Sequence, residues 1–119
     1  MLIDIRTVGF TLTDAIRSHV EERIATALGW AGRFIGKVTV RLEDVNADRG
    51  GIDKRCRIVA DVKRRQPVIT EVVSNDLYAA IDEAASRMRQ VARRRLERRI
   101  SLQRKIPHRP AALMMPGIT

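Results

Sequence analysis

The sequence predicts an α+β fold: a two-layer sandwich in the order β-α-β-β-β-α, a four-stranded sheet with two helices packed on one face. Three observations carry this. Four short segments have the alternating or continuously apolar character of strands, and two longer ones repeat apolar residues at spacings of three and four, the period of a helix. The helical segments bracket three consecutive strands, the arrangement of an antiparallel run with helices on one side. Finally, 119 residues with 45% apolar and 31% charged side chains suit one globular domain rather than two, or a disordered chain. We assign residues 1–105 to this domain. Residues 106–119 are expected to form a disordered tail rather than the alternative, a short docking segment around Leu113, Met114 and Met115, because Pro107, Pro110, Pro116 and Gly117 interrupt regular structure there.

The first strand covers residues 2–6, with Ile3 and Ile5 on one face and Asp4 and Arg6 on the other. The Thr11-Leu12-Thr13-Asp14 cluster then supplies helix-start chemistry: a threonine hydroxyl accepts from unpaired amides, and Asp14 meets the positive end of the dipole. Ile16, Val20, Ile24, Ala27 and Leu28 form one apolar stripe on this helix. Arg17, Glu21 and Glu22 fall outside it, with Arg17 and Glu21 placed to pair one turn apart, and His19 is expected on the solvated surface. Gly29 ends the pattern. Trp30 and Phe34 are expected to fold back over the helix end, since large apolar rings are poorly spent on solvent.

The second strand spans residues 37–43, with Val38, Val40 and Leu42 inward. Residues 45–52 contain Asn46, Asp48, Gly50 and Gly51, which suit a hairpin loop. Residues 53–63 give the third strand, with Cys56, Ile58, Ala60 and Val62 on one face; Cys56 thus reads as a small core residue. Lys63 to Pro67 is a polar turn, and Val68 to Val73 a fourth strand whose inward face stays open, because both faces are apolar.

Ser74, Asn75 and Asp76 are N-cap candidates for the long second helix. Its stripe is Leu77, Ile81, Ala84, Met88 and Val91, and the next position in the series is Arg95, where the stripe fails. The expectation is a helix anchored from Leu77 to Val91, with Tyr78 and Ile81 holding it to the sheet, and a basic rod projecting from Arg93 onward. A helix of roughly 28 residues would be about 42 Å long, longer than the sheet beneath it.

Charge is concentrated on that helix. Between Arg87 and Lys105 nine basic residues face one acid, Glu97, a local net charge of +8 out of +9 for the chain, so the remainder is nearly neutral at +1. Such asymmetry points to a polyanionic partner. Catalysis is not indicated: Glu21 and Glu22, Glu43 and Asp44, and Asp82 and Glu83 are adjacent pairs that do not converge, and Asp82 suits the first turns of a helix through the dipole. No Ser-His-Asp set, glycine-rich phosphate loop or HExxH motif occurs. The lone Cys56, with His19 and His108 far apart, gives no disulfide and no metal spacing, so neither cofactor nor small-molecule substrate is expected. Asp4 and Arg6 interrupt any secretory signal, and no window approaches a membrane span of about 18 apolar residues, so the expected location is the cytoplasm. A membrane-surface helix would need more apolar area than Ala92, Leu96, Ile100 and Leu102 supply. With four aromatics and no aromatic pair on a strand, the sequence offers no stacking platform for single strands; its arginines suit recognition of folded RNA through backbone and shape.

The stretch Asp76-Leu77-Tyr78-Ala79-Ala80-Ile81-Asp82 resembles the opening of the long helix, Asp-x-Tyr-x-Ala-Ile-Asp, in the ribosome hibernation-promoting factors, also called the ribosome-associated inhibitor or sigma-54 modulation family. The similarity extends over residues 1 to about 100, through the first strand, Leu12-Thr13-Asp14-Ala15-Ile16-Arg17, Asp53-Lys54 and the basic helix. It implies a translation inhibitor of the hibernation response that binds the small ribosomal subunit at the 16S rRNA decoding region and occludes the mRNA channel and tRNA sites. Arg87, Arg94, Arg17 and Arg23 match basic positions of the family; Arg89, Arg93, Arg95 and Arg98 complete the candidate RNA-binding set from the basic run itself. Arg87-Met88-Arg89-Gln90 places its second arginine one position earlier than the family's Lys-Leu-x-Arg-Gln, and Thr26 and Gly29 stand where basic residues are common, which shifts binding toward the second helix. The segment from Ser101 is too short for the C-terminal dimerisation domain of long members, so the short form is expected; whether a second hibernation factor is a partner is left open. The alternative function is a protein-binding regulator, of sigma-factor-modulator type, that sets the basic helix on an acidic partner.

Overall fold

The computed structural model describes residues 1–44 and 53–105, with side chains through residue 97. The hairpin loop expected over residues 45–52 and the tail from residue 106 lie outside the described residues. The elements are β1 (Leu2–Val8), α1 (Asp14–Leu28), a short 3₁₀ turn (Gly29–Ala31), β2 (Ile35–Asp44), β3 (Lys54–Val62), β4 (Val68–Ser74) and α2 (Leu77–Lys105).

The four strands lie in sequence order in one sheet. β2, β3 and β4 are antiparallel neighbours, but β1 runs parallel to β2, so the sheet is mixed rather than wholly antiparallel. The reason is α1: parallel neighbours cannot be joined by a tight turn, and this helix is the crossover between them. β1 stops at Gly9, whose φ of +91° is a backbone state open to glycine, and a Cβ there would sit 2.7 Å from the Asp44 carbonyl oxygen.

The register places the inward row Ile5, Val40, Ile58 and Thr70 across all four strands, and Leu42, Cys56 and Val72 across three. All but the half-buried Ile5 are buried against the helices. Burial pushes the Cys56 thiol up to about 12 from an ordinary 9.0, so it stays protonated as a core residue. The undecided face of β4 is settled by the two-layer architecture: Val68, Thr70 and Val72 point in, whereas Ile69 and Val73 lie on the open face of the sheet. Thr70 is a polar residue in this core, and its Oγ1 donates to the Ala84 carbonyl at 3.1 Å, tying β4 to α2. At the start of β3 the buried Asp53 accepts from Lys54 Nζ at 2.9 Å, with Asp44 3.3 Å from the same ammonium. The hydrogen bond to Asp53 is the main cause that holds Lys54 above its ordinary pKa.

Helix α1 follows its sequence pattern closely. Thr13 is the N-cap, accepting from the Ile16 amide at 3.2 Å, and the five stripe residues are all buried. No ion pair joins Arg17 to Glu21; Arg17 has no acidic partner among the described residues. Trp30 departs from expectation. Its Nε1–H donates to the Ala27 carbonyl at 2.7 Å, so the ring does turn back to the helix end, yet the residue is 42% exposed.

Helix α2 packs on β3, β4 and α1. At 29 residues it is about 43 Å long, against roughly 33 Å for the longest strand, so it outruns the sheet. The expected boundary near Ala92 is wrong. Ala92 and Leu96 are fully buried along with Ile81, Ala84 and Met88, while Leu77 and Val91 are only half-buried. A heptad series rotates by about 20° per repeat on a straight helix, so the buried line leaves Val91 and Arg95 and passes to Ala92 and Leu96. Arg95 sits half-buried, its guanidinium donating to the Gln66 carbonyl in the turn before β4. The core thus reaches into the basic run.

Candidate nucleic-acid interface

The heptapeptide Asp76 to Asp82 builds the junction between the two helices. Asp76 Oδ1 accepts from the Tyr78 amide at 3.3 Å and starts the helix, while Ala80 and Ile81 enter the core. Tyr78 does not hold the sheet: it stays partly exposed and meets His19 of α1 edge-on, with ring centroids 4.8 Å apart. His19 is correspondingly not a solvated bystander, since its Nε2–H donates to Asp82 Oδ1 at 2.7 Å. Arg23 Nε lies 3.1 Å from the same oxygen. Two pairs at i and i+4, His19 with Arg23 and Tyr78 with Asp82, therefore face one another and fix how α1 lies against α2. Nothing in the local pattern singles out this cluster, because its members are 63 residues apart.

Successive residues on α2 turn by about 100°, so the arginines beyond this junction divide between its two flanks. On the β4 flank, Arg87 and Arg94 border a groove of about 430 Å³ with Glu71, Gln90 and Ile69. On the α1 flank, Arg23 and Arg89 border a second groove with Thr26, Asp82 and Ser86, and Arg89 and Arg93 a third with Trp30 and Glu97. Arg87 pairs with Glu83 and Arg93 with Glu97, one turn away in each case. Such exposed pairs contribute only some tenths of a kcal/mol, so a phosphate can replace either carboxylate at little cost. Arg89 and Arg94 have no ion-pair partner among the described residues.

The candidate residues are thus not one cluster. Arg23, Arg89 and Arg93 share the α1 flank, Arg87 and Arg94 the β4 flank, and Arg17 stands exposed on α1. Arg95 is engaged by a backbone carbonyl, and the side chain of Arg98 lies outside the described residues. The feature that sequence reasoning missed is Trp30, which stands beside Arg89 and Arg93; a hydrophobic ring at a helix end gives no local sign of which way it faces.

This architecture defines a class: an α+β domain whose longest helix displays guanidinium groups on both flanks, chemistry suited to a polyanion. The chain belongs to the family described as Sigma 54 modulation protein / S30EA ribosomal protein, which it matches over residues 3–100. Among solved structures, the N-terminal domain of Protein Y from Thermus thermophilus is similar, with a TM-score of 0.64 and 29% identity over 79% of this chain and 98% of that one. A ribosomal subunit interface protein from Coxiella burnetii has the same fold, with a TM-score of 0.65 and 14% identity over 76% of this chain and 91% of that one. No curated protein matches the chain. No helix among the described residues is long and apolar enough to cross a membrane.

Proposed function

We propose that this protein is a non-enzymatic translation inhibitor that binds the small ribosomal subunit at the 16S rRNA decoding region and blocks the mRNA and tRNA sites when growth slows. The observation that carries the reading is the two-flanked arginine array on α2, in a chain of the S30EA family. RNA phosphates would meet Arg87 and Arg94 on one flank and Arg23, Arg89 and Arg93 on the other, with Arg17 and Arg98 as further candidates. Arg95 instead supports the turn before β4, so its loss would act through the fold. Inhibition then needs no chemistry: a domain wedged into the decoding region by several charge-assisted contacts excludes other ligands by volume.

The test is co-sedimentation with small subunits across a salt series. The expected slope of log affinity against log salt is about −0.7 to −0.9 per phosphate neutralised. The R87A/R94A and R89A/R93A double variants should each weaken binding and flatten the slope. Binding with a shallow slope that neither variant changes would sink the proposal and favour an acidic protein partner.

A further inference from the structure

Trp30 is exposed, rigid and faced by arginines. It sits on the 3₁₀ turn Gly29–Ala31, which is pinned by the fully buried Ala31. Its only polar atom is already satisfied by Ala27, so what it presents to solvent is apolar π surface held in place. A lone exposed hydrophobic residue carries little meaning. Here, however, the ring forms one wall of a concave site of about 310 Å³ whose lining among the described residues is completed by Arg89, Arg93 and Glu97 from α2. Arg93 is oriented by its hydrogen bond to Glu97 at 2.9 Å, and Arg89 has no ion-pair partner among the described residues.

The ligand that fits this set has a flat apolar ring, anionic groups on either side and N–H donors. We propose that the Trp30 cleft is a nucleotide subsite, in which one unstacked base of a single-stranded RNA segment packs on the indole. Arg89 and Arg93 hold the flanking phosphates, and Glu97 accepts from an exocyclic amine of the base. A strand suits the site better than a free nucleotide, because the two guanidiniums lie on consecutive turns of α2 and Arg23 lines the adjoining groove on the same flank. The inference rests on the RNA reading above and adds base stacking to what is otherwise phosphate recognition.

Trp30 is the single tryptophan of the chain, so tryptophan emission, excited selectively over Tyr78, reports this cleft alone. The full chain is titrated at fixed salt with a short oligoadenylate, with an abasic oligomer carrying equal phosphates, and with adenosine monophosphate. Stacking predicts saturable quenching by the oligoadenylate and affinity roughly 5- to 150-fold above the abasic strand. Measured by anisotropy of labelled RNA, Trp30→Ala should bind both strands at the abasic level, Trp30→Phe should keep most of the difference, and Arg93→Ala should weaken both. Thermal unfolding checks that each variant folds; should Trp30→Ala not fold, the abasic comparison and Trp30→Phe decide. Equal affinity of the parent for base-bearing and abasic strands, without quenching, overturns the subsite. Adenosine monophosphate binding as tightly as the oligomer overturns the strand assignment. If either occurs while the parent still co-sediments with small subunits, only this inference falls; if the parent does not co-sediment, the reading beneath it falls first.

Discussion

Leu96→Ala separates an anchored helix from a free basic rod. Leu96 lies among Arg93, Arg94, Arg95 and Glu97, yet it is 0% exposed. Truncation removes three buried carbons, at about 0.8 kcal/mol each, and leaves a cavity that adds roughly 24 cal/mol per Å³ not refilled. Alanine's better helix propensity returns only some tenths of a kcal/mol. The expected loss is therefore about 2.5 to 3.5 kcal/mol, which in a domain near 100 residues lowers Tm by more than about 10 °C. Urea unfolding followed by circular dichroism measures it, with the midpoint falling and the m-value unchanged. Were α2 a projecting rod beyond Ala92, the substitution would cost less than about 0.5 kcal/mol, as at an ordinary surface position. A loss that small would refute the assignment of Leu96 to the core, and with it the rigidity that presents Arg89 and Arg93.

Two further expectations follow from the helix junction and the core. Asp82→Asn keeps the shape of the side chain but removes the charge shared by His19 and Arg23; because Asp82 is partly exposed, the cost should be about 0.5 to 1.5 kcal/mol in urea unfolding. Asp82→Ala should cost more, and a result in which both variants match the parent would show that the cluster does not hold the helices together. Cys56 has a folded pKa of about 12 above an ordinary 9.0, so the folded state retains its proton more tightly than the unfolded chain. Its contribution is complete below about pH 9 and is lost as the pH rises toward about 12, so stability should decline over that window in the parent and decline less in Cys56→Ala. Iodoacetamide should modify the thiol only as fast as the protein opens.

The strands and helix α1 were legible because each is a local pattern. Alternation placed Cys56, Ile58, Ala60 and Val62 on one face, and the three-and-four spacing named all five buried residues of α1. The family heptapeptide was legible too, although its structural work, joining α2 to α1, was not. The arginines could be named as a set but not sorted: only the flanks of α2 divide Arg87 and Arg94 from Arg89 and Arg93, and only the turn carbonyl of Gln66 draws Arg95 out of the binding surface.

The sequence by itself thus determined which segments are strands and helices, which face of most of them is apolar, and that a net +8 of the chain's +9 falls between Arg87 and Lys105. Those properties follow from covalent geometry, since side chains alternate along a strand and recur every 3.6 residues along a helix whatever lies nearby. Tertiary structure alone decided which face of β4 is buried, that the core runs on to Leu96, that His19 and Asp82 meet, and that Trp30 opens beside two arginines. Each of these depends on what another element brings within a few ångströms, and the number of residues between the partners does not encode that distance.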